Sequence, residues 1–283
     1  MKVYIMTDLE CVAGVVGSAE YLLAGPENKY GRKDGGRHYE LARRLATMEV
    51  NAAVDGLLDA GATDIVVCDG HGHGGLNASL LHSRARLITG QPLIDYGLDD
   101  SFDAAIFTGQ HAMSNTDGGH LCHSGSFSRD EWILNGQLVG EIALFMILAS
   151  YYNVPTVMIS GDVAACEEAR QLTPSIETVA VIEGVKRGST KGMTTNEALD
   201  SNISSNHVAP EESRDMIYAG AKRCLDKINS VERYWVPPPY EMVRVTRPDG
   251  NGRVTRAVTL ADDYIDLDNR KVEYKVVSDN EAR

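Results

Sequence analysis

The chain has 283 residues, 43% of them hydrophobic, which is enough to bury a core without a disulfide or metal staple. Its formal charge of −13 argues against nucleic acid and anionic membrane partners, because both need a basic face. Five cysteines without a CxxC pair read as reduced thiols, and the amino terminus lacks a signal peptide's apolar core, so the expected location is cytoplasmic.

The first apolar run, "VYIM" (3–6), delivers "TDLECVAGVVG", in which Asp8 and Glu10 lie two positions apart. In an extended strand such a pair shares one face while Leu9 points away, so both carboxylates can aim at one cation. Leu41, Leu45, Met48, Ala52 and Leu57 then recur at near-helical spacing, and "DAGATD" closes that helix with Gly61. "IVVC" (65–68) completes a βαβ unit and leads into Asp69 and His71 of "CDGHGHGG". Cys68 should point to the face opposite Asp69, as a buried free thiol. The run "AAIF" (104–107) ends in "FTGQH", which carries His111.

A second helical pattern spans about 138–149 and has Glu141 near its start. The stretch from Ile142 to Gly161 carries no charge, but Tyr151, Tyr152, Asn153 and Pro155 break it, which predicts a buried helix, a turn and a buried strand, not a membrane span. "TVMIS" (156–160) and "TVAVI" (178–182) read as further strands. After Pro210, a helix carries Ile217, Ala221, Cys224, Leu225 and Ile228 on one stripe. Beyond "WVPPPY" (235–240), strands are expected around the turn "PDGNG" (248–252), at "AVTL" (257–260) and at "VEYKVV" (272–277).

Runs apolar at every position predict strands covered on both faces. The fold class is therefore α/β, a largely parallel sheet flanked by helices, with a smaller carboxyl-terminal α+β subdomain. The expected division is a metal-binding catalytic domain over 1–190 and a smaller α+β unit over 191–283 that serves oligomer contacts.

In an open parallel sheet, ligands bind beyond the carboxyl ends of the strands. Here those positions hold Asp8, Glu10, Asp69, His71 and His111, with Glu141 opening the next helix. Singly, each has an ordinary structural explanation, as a cap, a turn or a solvated acid. Together they offer carboxylate oxygen and imidazole nitrogen to one edge, a donor set that suits hydrolytic zinc better than a closed structural site. Asp69 is either an acceptor that orients a ligand or a loop cap.

These residues resemble, over about residues 1–185, the bacterial zinc D-aminopeptidases of the dipeptide-transport-operon type, a self-compartmentalising metallopeptidase family. The family's D-x-E-G signature corresponds to Asp8-Leu9-Glu10-Cys11, with Cys for Gly, and its D-S-H stretch to Asp69-Gly70-His71. Its G-x-H stretch corresponds to Gly109-Gln110-His111 and its P-V-G-E helix start to Leu138-Val139-Gly140-Glu141. The resemblance implies two Zn2+ ions per chain, with Asp8 bridging, Glu10 and His71 on one ion, and His111 and Glu141 on the other. It also implies that His123, in "LCHSGS", is the catalytic residue, as proton shuttle or oxyanion stabiliser, with His120 as a competitor. Its further implications are a short peptide or amino-acyl amide substrate, D-residues included, and a homo-oligomeric ring such as a decamer. Competing readings are a metal-dependent amidase or lactam hydrolase and a non-catalytic metal-binding scaffold, because such donors specify water activation more than an acyl group.

Overall fold

The structure, a computed structural model, describes residues 1–17, 22, 36, 38–72, 74–90 and 95–268. In chain order its first half runs β1 (Lys2–Thr7), α1 (Tyr39–Asp59), β2 (Asp64–Asp69), β3 (Ala85–Ile88), β4 (Ala104–Gln110), β5 (Arg129–Leu134) and β6 (Gln137–Leu138). The second half runs α2 (Glu141–Tyr151), β7 (Thr156–Asp162), α3 (Val163–Leu172), β8 (Glu177–Gly184), α4 (Thr195–Ser201), β9 (Ser205–His207), α5 (Pro210–Cys224), β10 (Tyr240–Thr246), β11 (Arg256–Ala261) and α6 (Tyr264–Asp268).

The main sheet has the order β3-β2-β1-β4-β7-β8-β9. Its pairs are parallel except β9, which runs antiparallel to β8. Alternation along each strand supplies both faces: Val3 and Ile5 join the core beneath α1 and α5, while Tyr4 and Met6 join the one beneath α2 and α6. This two-sided burial is why the runs are apolar at every position. Cys68 belongs to the second core and Asp69 follows it on the other side of the pleat, as the alternation requires. Among the described residues, no helix is long and apolar enough to cross a membrane.

A smaller antiparallel sheet, β11-β10-β5-β6, draws strands from both halves of the chain. The expected helix over 138–149 starts at Glu141 instead, because Leu138 pairs with Ile133 in the β5–β6 hairpin. The Asn135-Gly136 turn, with φ of 49° and 81°, makes that hairpin. Pro210 opens α5 at its first turn, and Ile217, Ala221, Cys224 and Leu225 are buried as expected. The expected strand over 272–277 lies outside the described residues.

Glu49 links α1 to the segment that follows β1. Its Oε1 accepts from the backbone N–H of Ala13 at 3.0 Å and from the hydroxyl of Ser213 on α5, while Oε2 is buried without a hydrogen-bond partner. Burial pushes this carboxyl from its ordinary 4.5 up to about 7. The folded-state value is the raised one, so the stability linked to the neutral carboxyl is complete below about pH 4.5 and is lost as pH rises through 7. Glu49→Gln keeps the acceptor and removes the titration. Between pH 5 and pH 8 the variant should therefore gain up to about 3 kcal/mol on the wild type, measured as urea midpoints at the two pH values. The same offset at both would contradict the assignment.

Candidate metal centre

Strand order reverses at β1, since the chain runs outward through β2 and β3 and then returns to place β4 on the other side of β1. At such a switch point the loops after neighbouring strands diverge and leave a crevice. The carboxyl ends of β1, β2 and β4 deliver Asp8, Glu10, His71 and His111 into it.

Asp8 and Glu10 lie just past the last residue of β1, so their convergence comes from a turn and not from strand alternation. The turn is clamped to β4, with the N–H of Asp8 donating to the Thr108 carbonyl at 2.9 Å and that of Cys11 to the Gly109 carbonyl at 3.1 Å. The N–H of the buried Leu9 donates to Asp8 Oδ1 at 2.9 Å and to Glu10 Oε2 at 3.3 Å, drawing both carboxylates to one side. After β2, the Asp69 carboxylate accepts from the N–H groups of Gly75 and Leu76 at 2.6 and 3.1 Å. Asp69 is thus the cap that folds the loop and presents His71. Glu141 opens α2, where the helix dipole favours an acid, and its Oε1 accepts from the Gly125 N–H at 2.6 Å.

Two donor groups result among the described residues, Asp8 with Glu10 and His71, and His111 with His123 and Glu141, each with ligand atoms within 4.8 Å of one another. Asp8 joins them. Its Oδ1 lies 3.1 Å from His71 Nδ1 and its Oδ2 lies 3.3 Å from His111 Nε2. Glu10 Oε2 is 3.1 Å from His71 Nδ1, and Glu141 Oε1 is 3.5 Å from His111 Nε2 and 3.6 Å from His123 Nε2. The rings of His111 and His123 stack at 3.8 Å. Neither group includes a cysteine, and all five thiols are buried and unbridged.

The imidazoles share one arrangement. His71 Nε2, His111 Nδ1 and His123 Nδ1 lie 3.0, 2.9 and 2.9 Å from the backbone carbonyls of Leu22, Ala112 and Leu121. A nitrogen beside a carbonyl must donate, so in the neutral ring the opposite nitrogen presents a lone pair to the carboxylates. Lone pair against carboxylate is repulsive unless a proton or a metal ion lies between them. His111 Nε2 is buried with no hydrogen bond of good geometry, as an atom meant for a metal would be.

The charges respond accordingly. Burial disfavours ionised Asp8, but the His111 and His71 imidazoles, 3.3 and 3.1 Å from its two oxygens, outweigh it and hold the carboxyl well below the usual range. Burial, then the Asp8 charge, raises Glu10, while burial pushes Glu141 up to about 7. Burial alone would lower His71 and His111, yet the adjacent carboxylates raise both well above their ordinary value. His123, lowered by burial and by the neighbouring His111, stays neutral. His120 is fully buried, makes no side-chain hydrogen bond and falls outside both groups, pushed down to about 3 by burial.

Two supporting residues escaped the sequence reading. Phe127 packs against His123 with ring centroids 4.1 Å apart. Asp162, at the end of β7, accepts from the His120 N–H at 2.7 Å and caps α3 through the Ala165 N–H. The signal for Asp162 was an acid directly between an apolar run and a helical one.

The family model for peptidase M55, described as D-aminopeptidase, matches residues 1–282. A D-aminopeptidase of Bacillus subtilis (strain 168) is 33% identical over 196 residues, which span 68% of this chain and 67% of that one. The solved structure of the Zn-dependent D-aminopeptidase DppA from Bacillus subtilis, a self-compartmentalizing protease, superposes with a TM-score of 0.76 over 94% of each chain at 24% identity, which shows a shared fold.

Gly109 tests the clamp between β1 and β4. Its φ is +72°, and a Cβ there would fall 2.2 Å from the Asp8 carbonyl oxygen. Gly109→Ala should cost at least about 2 kcal/mol in urea unfolding and weaken zinc binding at least about tenfold in chelator competition, because Asp8 must move. Unchanged zinc affinity would show that the clamp does not set the centre.

Proposed function

The chain belongs to peptidase family M55, the D-aminopeptidases, and on that footing we propose a zinc-dependent aminopeptidase that removes the amino-terminal, D-configured residue of short peptides at a two-zinc centre. The observation that carries this reading is the division of Asp8, with Oδ1 toward His71 and Oδ2 toward His111. Asp8, Glu10 and His71 would hold one ion, and Asp8, His111 and Glu141 the other. Bound zinc supplies Lewis acidity that polarises an acyl oxygen and makes water nucleophilic at neutral pH.

The remaining work falls to the chain. The backbone carbonyls fix each imidazole's tautomer, so the lone pairs face inward before any ligand arrives. His123 gives its Nδ1–H to Leu121 and keeps Nε2 free to accept a proton and pass it to the leaving amine. Burial of Asp8, Glu10, His111 and His123 strengthens these interactions by excluding water. A closed homo-oligomer follows by analogy with the self-compartmentalizing Bacillus protein, and five unbridged thiols fit a reducing compartment such as the cytoplasm.

Two substitutions separate ligand from proton carrier. Glu141→Ala should lower zinc content and activity together. His123→Ala should keep both ions while kcat on D-alanyl-p-nitroanilide falls on the order of 10²–10⁴-fold. Loss of zinc in the His123 variant would make His123 a ligand. Wild-type turnover of lactams or simple amides in place of amino-acyl anilides would overturn the aminopeptidase reading.

A further inference from the structure

Arg247, immediately after β10, is buried, and its guanidinium is surrounded by acceptors from three separate segments. Nε donates to the Phe127 carbonyl at 3.1 Å. Nη1 donates to Asp130 Oδ1 at 3.2 Å and to the Thr190 carbonyl at 2.8 Å, and Nη2 to Thr190 Oγ1 at 3.2 Å and Asn115 Oδ1 at 3.5 Å. The acceptors are themselves cross-linked, since Asn115 Nδ2 donates to the Asp130 carbonyl at 2.7 Å and Thr190 Oγ1 to Asn115 Oδ1 at 3.0 Å. A guanidinium has five N–H donors in a planar fork, and here each has an acceptor; an ammonium, with three, cannot match them.

The acceptors bracket the segment that carries His123. Asn115 lies before it, Phe127 and Asp130 after it, and the Arg247 N–H adds a bond to the Ser128 carbonyl at 2.9 Å. The Phe127 ring lies on His123 at 4.1 Å and 34°, and the His111 ring lies on it at 3.8 Å and 17°. Two ring centroids this close to the imidazole cannot share one of its faces, so His123 lies between the stacked His111 and the tilted Phe127, and its Nε2 direction depends on where Phe127 is held. We infer that Arg247 is a positioning residue for the reaction, acting through Phe127 to fix the plane of His123. The inference rests on the proposed function for its kinetic consequence and on geometry alone for the rest.

The test compares Arg247→Lys, Phe127→Leu and the double variant with wild type, all as zinc-loaded full-length protein. Both single variants should keep wild-type zinc content and a KM within about twofold on D-alanyl-p-nitroanilide, while kcat falls about tenfold or more, because a displacement near 1 Å suffices for such losses. The double variant should be no slower than the slower single one, since both act through one contact. Independently of turnover, diethyl pyrocarbonate should modify His123 severalfold faster in both variants, measured by peptide mass spectrometry against His82 as reference. Wild-type kcat and wild-type labelling in folded Arg247→Lys would overturn the inference, as would effects that multiply in the double variant. Should Arg247→Lys not fold, Phe127→Leu decides, and unchanged labelling there overturns the inference. A wild-type protein inert toward the anilide would sink the proposed function and leave the labelling comparison to judge Arg247.

Discussion

Three carboxylates and three imidazoles crowd into two adjoining groups, each with its ligand atoms within 4.8 Å of one another, largely out of water, and the rest of the architecture serves that constraint. An uncompensated ion in such a place costs several kcal/mol, so the cluster persists only if positive charge balances it. Protons on His71 and His111 do so in part, and metal ions would do so with better geometry, because the lone pairs already converge. The parallel strands β1 and β4 form the rigid base, and the reversal of strand order between them opens the space.

The segment between β4 and β5 has almost no regular structure, yet it carries His123. Buried ionisable side chains hold it instead. Glu168 accepts from the Met113 N–H at 2.7 Å, Asp162 from the His120 N–H, and Arg247 donates to the Phe127 carbonyl. A hydrogen bond contributes about 0.5–1.5 kcal/mol net, and more where the partner is charged, so several such anchors order a segment that lacks secondary structure. The smaller sheet thereby bears on the metal centre, because β10 leads directly into the arginine that closes this network.

Much of this was legible in the sequence. The five apolar runs became strands because two-sided burial leaves an uninterrupted apolar signature, and acids and histidines directly after them marked the crevice edge. The β5–β6 hairpin was missed although "NG" at 135–136 announces it, because the apolar periodicity of the following helix extends back over Leu138. Asp8 and Glu10 converge, but through a turn whose N–H groups gather them, which strand alternation does not foresee. The partners of Arg247 lie as far as 132 positions away along the chain, and no local pattern encodes such a contact.

The most direct test of the centre is anomalous diffraction at the zinc edge from crystals of protein prepared without chelator. The account predicts two peaks about 3.5–4 Å apart, one on each side of the Asp8 carboxylate. A single peak, or two peaks that do not share Asp8, would contradict it.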